Sequence, residues 1–286
     1  MTRMILLQLF IGLSLGSIYV LMASGLSLIF GLMRVVNFGH GSFYMVGAYM
    51  LTFVMGLGGN LWIGLVVAPV AIGLLGMLIE RCALRPLYGT AEINPLILTL
   101  GLNYVLVDLI RIFFGLGGTP SAVPVAFQGM VNLGFMLFPK YRFFMIVVAA
   151  VVVFLVWLFI NKTNIGMVVR AGTKDGEMVE LLGINIRMVW TMIFGLGIGL
   201  AALSGALVAP ISGTTPEMGS FTVIEAFVVV VIGGMGSFVG SIVAGILVGE
   251  VIAMTTLWFG QAAQVSIFVL MVVVLLATKA GLFGEA

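Results

Sequence analysis

Charge is what this sequence has least of. Its 286 residues hold 12 basic and 10 acidic side chains, so 8% are charged, where a soluble domain needs roughly a quarter to cover its surface. A water-soluble fold is excluded. The single cysteine, Cys82, rules out an intramolecular disulfide and any cysteine-based metal cluster. One histidine and few acids leave no base–nucleophile pair and no ligand set, so no catalytic residue, metal or cofactor is expected. No G-x-x-x-x-G-K-[ST] loop is present to hold a nucleotide. The net charge of +2 is too small for a nucleic-acid surface.

In place of charge there is apolar length. The chain is 62% hydrophobic, with a mean hydropathy of +1.31. Its apolar runs are too long and continuous for barrel strands, which alternate over about ten residues. Helices remain, because they satisfy their backbone internally. Apolar windows predict spans near 5–31, 41–58, 62–79, 95–114, 142–160, 188–209, 222–233, 237–257 and 264–278. The seventh is short and ends at the Gly-rich joint Gly233–Ser237, so eight or nine crossings are expected. The first run exceeds the ~7–15 residues of a signal-peptide core and is read as a span that stays. The expected fold is one all-α polytopic membrane domain over residues 1–286, with some Gly-interrupted helices. The 39 glycines suit close helix contact in lipid.

Orientation follows from Lys and Arg placement. With the N-terminus outside and the C-terminus inside, the inner face receives Arg34, Arg81, Arg85, Lys162, Arg170, Lys174, Arg187 and Lys279. The outer face keeps Arg3, Lys140 and Arg142, with Arg111 near an outer helix end. Inside then lie a charged loop, Glu80–Glu92, and a polar island, Asn161–Arg187. Outside lie Gly115–Arg142 and Ile211–Phe221.

The island is the most informative stretch. Asp175 is placed to cap a short helix with Glu177 in its first turn. Met178, Leu181 and Leu182 form one apolar stripe on it, and Gly183 stands where such a helix stops. That stripe must bury against something: the inner ends of the chain's own helices, or a water-soluble partner.

Inside the apolar body, His40 admits two readings. Asn37 and His40 line a break between helix segments, or His40 caps a helix end and bonds a neighbouring carbonyl. Gly39–Phe43 is echoed by Gly234–Phe238, and paired Gly-interrupted segments point to a path built from broken helices. The candidate pathway residues are Asn37, Gly39, His40, Gly41 and Ser42, then Gly234, Gly236 and Ser237. Thr99 and Gly101 join them from the fourth span, where with Asn103 they are expected to form a small, polar face. Gly195, Gly197, Gly199, Ser204 and Gly205 in the sixth span suit tight helix contact. Asp108 and Arg111 are spaced for a local pair. Glu225 and Glu250 have no cation within four residues and are read as gate or helix-contact groups ahead of direct substrate binding.

Four stretches, Gly25–Tyr49, Leu98–Leu102, Gly166–Asn185 and Glu225–Glu250, together resemble the membrane subunits of ATP-binding-cassette importers for branched-chain amino acids (the leucine/isoleucine/valine type). The resemblance covers nearly the whole chain. It implies a non-catalytic permease forming half of a pore in a bacterial inner membrane. The implied partners are a second homologous permease subunit, two cytoplasmic ATPase subunits, a periplasmic or lipid-anchored solute-binding protein and membrane lipid. In that family a cytoplasmic loop seats a coupling helix in a groove of the ATPase. Arg170, Ala171, Asp175, Leu181, Leu182, Gly183 and Ile184 match that pattern, and Met178 belongs to the same stripe. Gly172 and Gly176 depart from the helix-forming residues expected there, which bears on how continuous the helix is. The alternative is a stand-alone secondary transporter or channel for a small polar solute, which has no need of an exposed amphipathic helix.

Overall fold

The computed structural model describes residues 2–132, 134 and 136–284. Leu133 and Phe135, inside the expected outer segment, and the side chain of Arg3, assigned above to the outer face, lie outside the described residues. The helices are α1 (Thr2–Met33), α2 (His40–Gly56), α3 (Leu61–Ile79), α4 (Ile93–Phe114), α5 (Lys140–Lys162), α6 (Asn164–Lys174), α7 (Gly176–Leu181), α8 (Ile186–Ser212), α9 (Met218–Gly233), α10 (Phe238–Phe259) and α11 (Ala263–Ala277). Each expected apolar window coincides with a helix to within a few residues. Among the described residues, 6 helical runs are long and apolar enough to cross a membrane, the last joining α10 to α11. With 17 and 16 residues, α2 and α9 are shorter.

The body is built around α8, buried along most of its length between α1, α2 and α3, while α10 lies along α1. Lipid tails are as apolar as leucine, so these contacts rest on close van der Waals fit rather than on expelling water. Glycine supplies the fit. A Cβ on Gly16 would stand 2.9 Å from the Ile246 Cα, and one on Gly25 would stand 2.5 Å from the Gly197 carbonyl oxygen. The tight contacts expected of the glycines in the sixth span are therefore made.

Two expectations change. The chain is nearly all-α, but the segment Gly115–Arg142 carries one short hairpin. Met130–Asn132 and Leu137–Pro139 form an antiparallel hairpin, with Met130 opposite Pro139. Thr119 and Thr214 exchange backbone bonds of 2.9 and 3.1 Å, tying this segment to the end of α8. The inner segment read as a charged loop is helical at first. From Ile79 the chain continues through a π-helical turn, Glu80–Leu84, and a 3₁₀ turn, Arg85–Leu87. The reason is that Glu80 points inward and is bonded there.

Candidate functional site

The break after α1 is deep. Arg34 ends the helix in the left-handed region (φ 53°), its N–H donating to the Phe30 carbonyl at 2.8 Å. The chain then turns back without regular structure to His40. An extended segment from Arg34 to His40 reaches about 20 Å, and α1 rises about 18 Å between Met22 and Arg34. The connection uses that reach: His40 Nε2 donates to the Met22 carbonyl at 3.1 Å, about three turns inside the end of α1. Non-helical backbone at that depth is tolerated only where protein covers it or a cavity adjoins it.

Helix α4 meets the freed groups. Thr99 Oγ1 accepts from the Phe38 N–H at 3.2 Å. It donates to the Leu96 carbonyl at 3.0 Å, with the Val36 carbonyl at 3.4 Å as alternative acceptor. Ser42 Oγ donates to Asn103 Oδ1. Asn37, His40, Ser42 and Thr99 are all fully buried. A carbonyl can only accept, so the His40 proton sits on Nε2. His40 Nδ1 and both polar atoms of the Asn37 amide have no partner among the described residues. Both readings of His40 thus contain something true: it bonds a neighbouring carbonyl, and it stands at a break. Thr99→Val strands the Phe38 N–H and is expected to destabilise the protein by about 1–3 kcal/mol. Thr99→Ser keeps the acceptor and stays within about 1 kcal/mol. Melting in detergent separates the two.

The other expected pathway residues divide. Gly39 and Gly41 belong to the break: a Cβ on Gly39 would lie 3.2 Å from Asn37 Oδ1, and Gly41 abuts the Gly219 backbone at the start of α9. Gly101 does not share a face with Thr99 and Asn103. Two residues on a helix turn about 200°, so Gly101 looks outward and is exposed. Gly234, Gly236 and Ser237 form the α9–α10 turn, away from this cluster, with Gly236 against Gly31 near the end of α1 and Gly234 against Gly284. There Gly234 and Gly236 have φ of 99° and 87°, and Ser237 Oγ caps α10, accepting from the Gly240 N–H at 3.1 Å. Gly39, by contrast, has φ −67°. The echo is one of letters rather than of conformation.

The carboxylates join helices. The Tyr19 hydroxyl of α1 donates to Glu225 Oε2 of α9 at 2.8 Å, and Glu250 lies against Gly12 of α1. Arg111 pairs with Asp108 at 3.0 Å as its spacing predicts, and also with Glu217 at 2.9 Å.

At the opposite end stands α7. Asp175 Oδ1 accepts from the Met178 N–H at 2.9 Å, capping its start. Its finish is closed by Leu182 N–H to the Met178 carbonyl at 3.2 Å and Gly183 N–H to Glu180 at 2.9 Å, with Gly183 at φ 81°. The island helix is indeed interrupted: α6 and α7 part at Asp175, between Gly172 and Gly176, and both glycines face Ile186. Arg170 reaches back to the Ile160 carbonyl, and the Ala171 carbonyl accepts from the Asp175 N–H at 3.0 Å. Met178 is 54%, Leu181 81% and Leu182 72% exposed, while Val179 alone turns inward at 4%. Ile184 is exposed beside them. The stripe does not fold back on the chain's own helices. Asp175→Ala is expected to cost α7 about 1 kcal/mol, read as faster amide exchange over 176–182.

Behind α7 lies a cluster that sequence reading missed. Glu80 is fully buried. Its Oε1 accepts from the Tyr88 hydroxyl at 3.0 Å and its Oε2 from Thr191 Oγ1 at 2.7 Å. Arg85 pairs with Oε2 at 3.2 Å and also donates to the Arg187 carbonyl at 3.3 Å. The Tyr88 ring stands edge-on to Trp190 at 5.2 Å. Burial and then the Glu80 carboxylate push the Tyr88 hydroxyl above its ordinary range, keeping it a donor. The cluster ties the end of α3 to the first two turns of α8, just downstream of α7. Only the spacing of Glu80 and Arg85 signalled it, and a π turn brings together i and i+5, which an α-helical reading passes over.

Residues 8–278 match the family described as branched-chain amino acid transport system / permease component. The chain is 31% identical over 295 residues to the high-affinity branched-chain amino acid transport system permease protein LivH of Escherichia coli K12, covering 97% of this chain and 95% of that protein. It is 30% identical over 260 residues to LivM, described in the same terms, from the same organism, covering 82% of this chain and 60% of that one. In fold it is similar to PsaBC from Streptococcus pneumoniae, solved in complex with Fab. The TM-score is 0.50 at 14% identity, over 92% of this chain and 87% of that one.

Proposed function

We propose a function from one premise: this chain belongs to the family of branched-chain amino acid transport system permease components. It is a membrane permease component and not an enzyme. In our reading, residues 1–286 are a single transmembrane domain that forms half of the pore of an ATP-driven importer in a bacterial inner membrane. The solute is a branched-chain or related small amino acid, handed over by a binding protein outside. The other half is a second, homologous subunit. That one organism holds both LivH and LivM, each similar to this chain, supports such a pair.

Nine crossings suit the reading: α1 to α5 and α8 to α11, with Arg34–Gly39 and α2 together making one of them. The N-terminus is then outside, and residues 161–187 and the C-terminus are cytoplasmic. The pathway runs past the break, where the unpartnered Asn37 amide and His40 Nδ1 offer polar contacts at depth. The starts of α2 and α9 meet there at Gly41 and Gly219, and paired helix N-termini suit a passing carboxylate. Gly101 on the outward face of α4 looks toward the second subunit. Gly234, Gly236 and Ser237 border the same route nearer the cytoplasm.

The observation that bears most weight is α7, capped at both ends with its apolar stripe exposed. Two ATPase subunits would each receive such a helix, and their closure on ATP would rock the membrane halves between inward and outward access. The test is leucine uptake into proteoliposomes holding the two permeases and ATPases, with binding protein added. Uptake that needs both ATP and binding protein supports the proposal. Uptake by this chain alone under an ion gradient overturns it. Gly183→Asp places a side chain at φ 81°, a strain of about 1 kcal/mol. It is expected to weaken ATPase binding several-fold in pull-down titrations, at unchanged yield of membrane protein.

A further inference from the structure

On the flank formed by α3, α5 and α8 lies an open, almost wholly apolar crevice of about 840 Å³. One wall is a stripe on α3, through Val66, Val70, Gly73 and Met77; the other is a stripe on α5, through Val148, Val152, Leu155 and Phe159. Leu196, Leu200 and Leu203 of α8 form the floor. Trp62 closes the far end, edge-on to Phe144 at 5.4 Å. From Trp62 to Met77 the crevice runs about 22 Å, deeper than one leaflet of a hydrocarbon core of about 30 Å.

Both stripes end in a cation at the α7 side. Arg81 follows Met77 by one turn, and Lys162 follows Phe159. Both are exposed, and neither makes an ion pair or a side-chain hydrogen bond among the described residues. No acid falls anywhere between Tyr141 and Lys174, and the one acid of 61–84 is the buried Glu80. Ile165 of α6 lines the same end of the crevice as Met77 and Phe159, so each cation follows within about one helical turn a residue that lines its inner end.

We propose that this crevice is a binding site for an anionic diacyl phospholipid, its acyl chains between α3 and α5 and its headgroup phosphate on Arg81 and Lys162. Apolar length alone would accept any lipid. The paired, unneutralised cations at one end select for negative charge, as basic pockets between membrane helices do. The site is separate from the pathway break and from the α7 stripe, so a lipid could stay bound there through a transport cycle.

The experiment is native mass spectrometry of the assembled transporter in detergent, titrated with phosphatidylglycerol and with phosphatidylcholine. Each surface cation contributes roughly fivefold in affinity for an anionic lipid, so Arg81→Gln/Lys162→Gln is expected to lose about twenty- to thirtyfold in phosphatidylglycerol affinity. Its phosphatidylcholine binding should be unchanged, and Arg81→Lys/Lys162→Arg should behave as wild type. Equal affinity of the wild-type protein for the two lipids overturns the proposal, as does full phosphatidylglycerol affinity in the double glutamine variant. A photoreactive residue in place of Leu74, which lines the crevice and is exposed, separates the occupants. A lipid adduct supports the site, and an adduct to a second polypeptide overturns it.

Discussion

Glu80→Ala is expected to lower the melting temperature of the detergent-solubilised protein by roughly 6–10 °C. Removing one partner of a buried ion pair costs about 3–5 kcal/mol, because the other charge stays behind uncompensated. Arg85 keeps 28% of its side chain exposed and can turn partly to water, which argues for the lower end, about 3 kcal/mol. Against this stands the loss of the Tyr88 hydroxyl's acceptor, the only one besides the Met33 sulfur among the described residues. A kilocalorie shifts the melting point of a large domain by about 2–4 °C. Glu80→Gln retains the shape and one acceptor oxygen, so about half the shift is expected. The position of the cluster adds a second readout. Arg187 and Thr191 belong to the first two turns of α8, so a loosened joint should raise amide exchange there while leaving the crossing of α1 and α10 protected. In the reconstituted transporter, solute moved per ATP should fall further than ATPase binding. A melting point within 1 °C of wild type would show that Glu80 is incidental.

How much of this was legible in the sequence depended on the range of the signal. The membrane helices were, because an apolar run encodes its own answer. So was α7: the Asp175 cap, the stripe and the Gly183 stop all fall within nine residues, and every bond that makes the helix is local. The Asp108–Arg111 pair was legible for the same reason, while its third member, Glu217, was not, being 106 residues away from Arg111. The Glu80 cluster failed twice over. Thr191 lies 111 residues on, and the π turn hides the Arg85 spacing. Gly101 does not join the face of Thr99 and Asn103, because alternate residues on a helix turn about 200° apart. The depth of the break at Asn37 could not be read at all, since a short connection between helices looks the same at the membrane surface and inside the body. Only the bond from His40 to Met22 fixes it.

Leu181→Asp/Leu182→Asp is expected to reduce ATP-driven uptake to background without harming the membrane fold. The two side chains are 81% and 72% exposed, so within this chain the substitutions exchange water contacts for water contacts, within about 0.5 kcal/mol each. On a partner the balance reverses. Each leucine buried in an ATPase groove contributes about 1.5–3 kcal/mol, and a carboxylate forced into that groove adds a desolvation cost. A loss of 3–6 kcal/mol is a factor of about 10² to 10⁴ in affinity, enough to empty the site at cellular concentrations. Because new acids near the end of α7 also oppose its dipole, Leu181→Ala/Leu182→Ala is the cleaner companion. It should show most of the same loss with the helix intact. Val179→Ala is the converse control: Val179 is the one member of α7 turned inward, so its truncation loosens the seat of the helix yet leaves the stripe in place, and coupling should weaken rather than vanish. Uptake persisting in the aspartate variant, at wild-type rate and with ATP still required, would overturn the proposed docking role of α7.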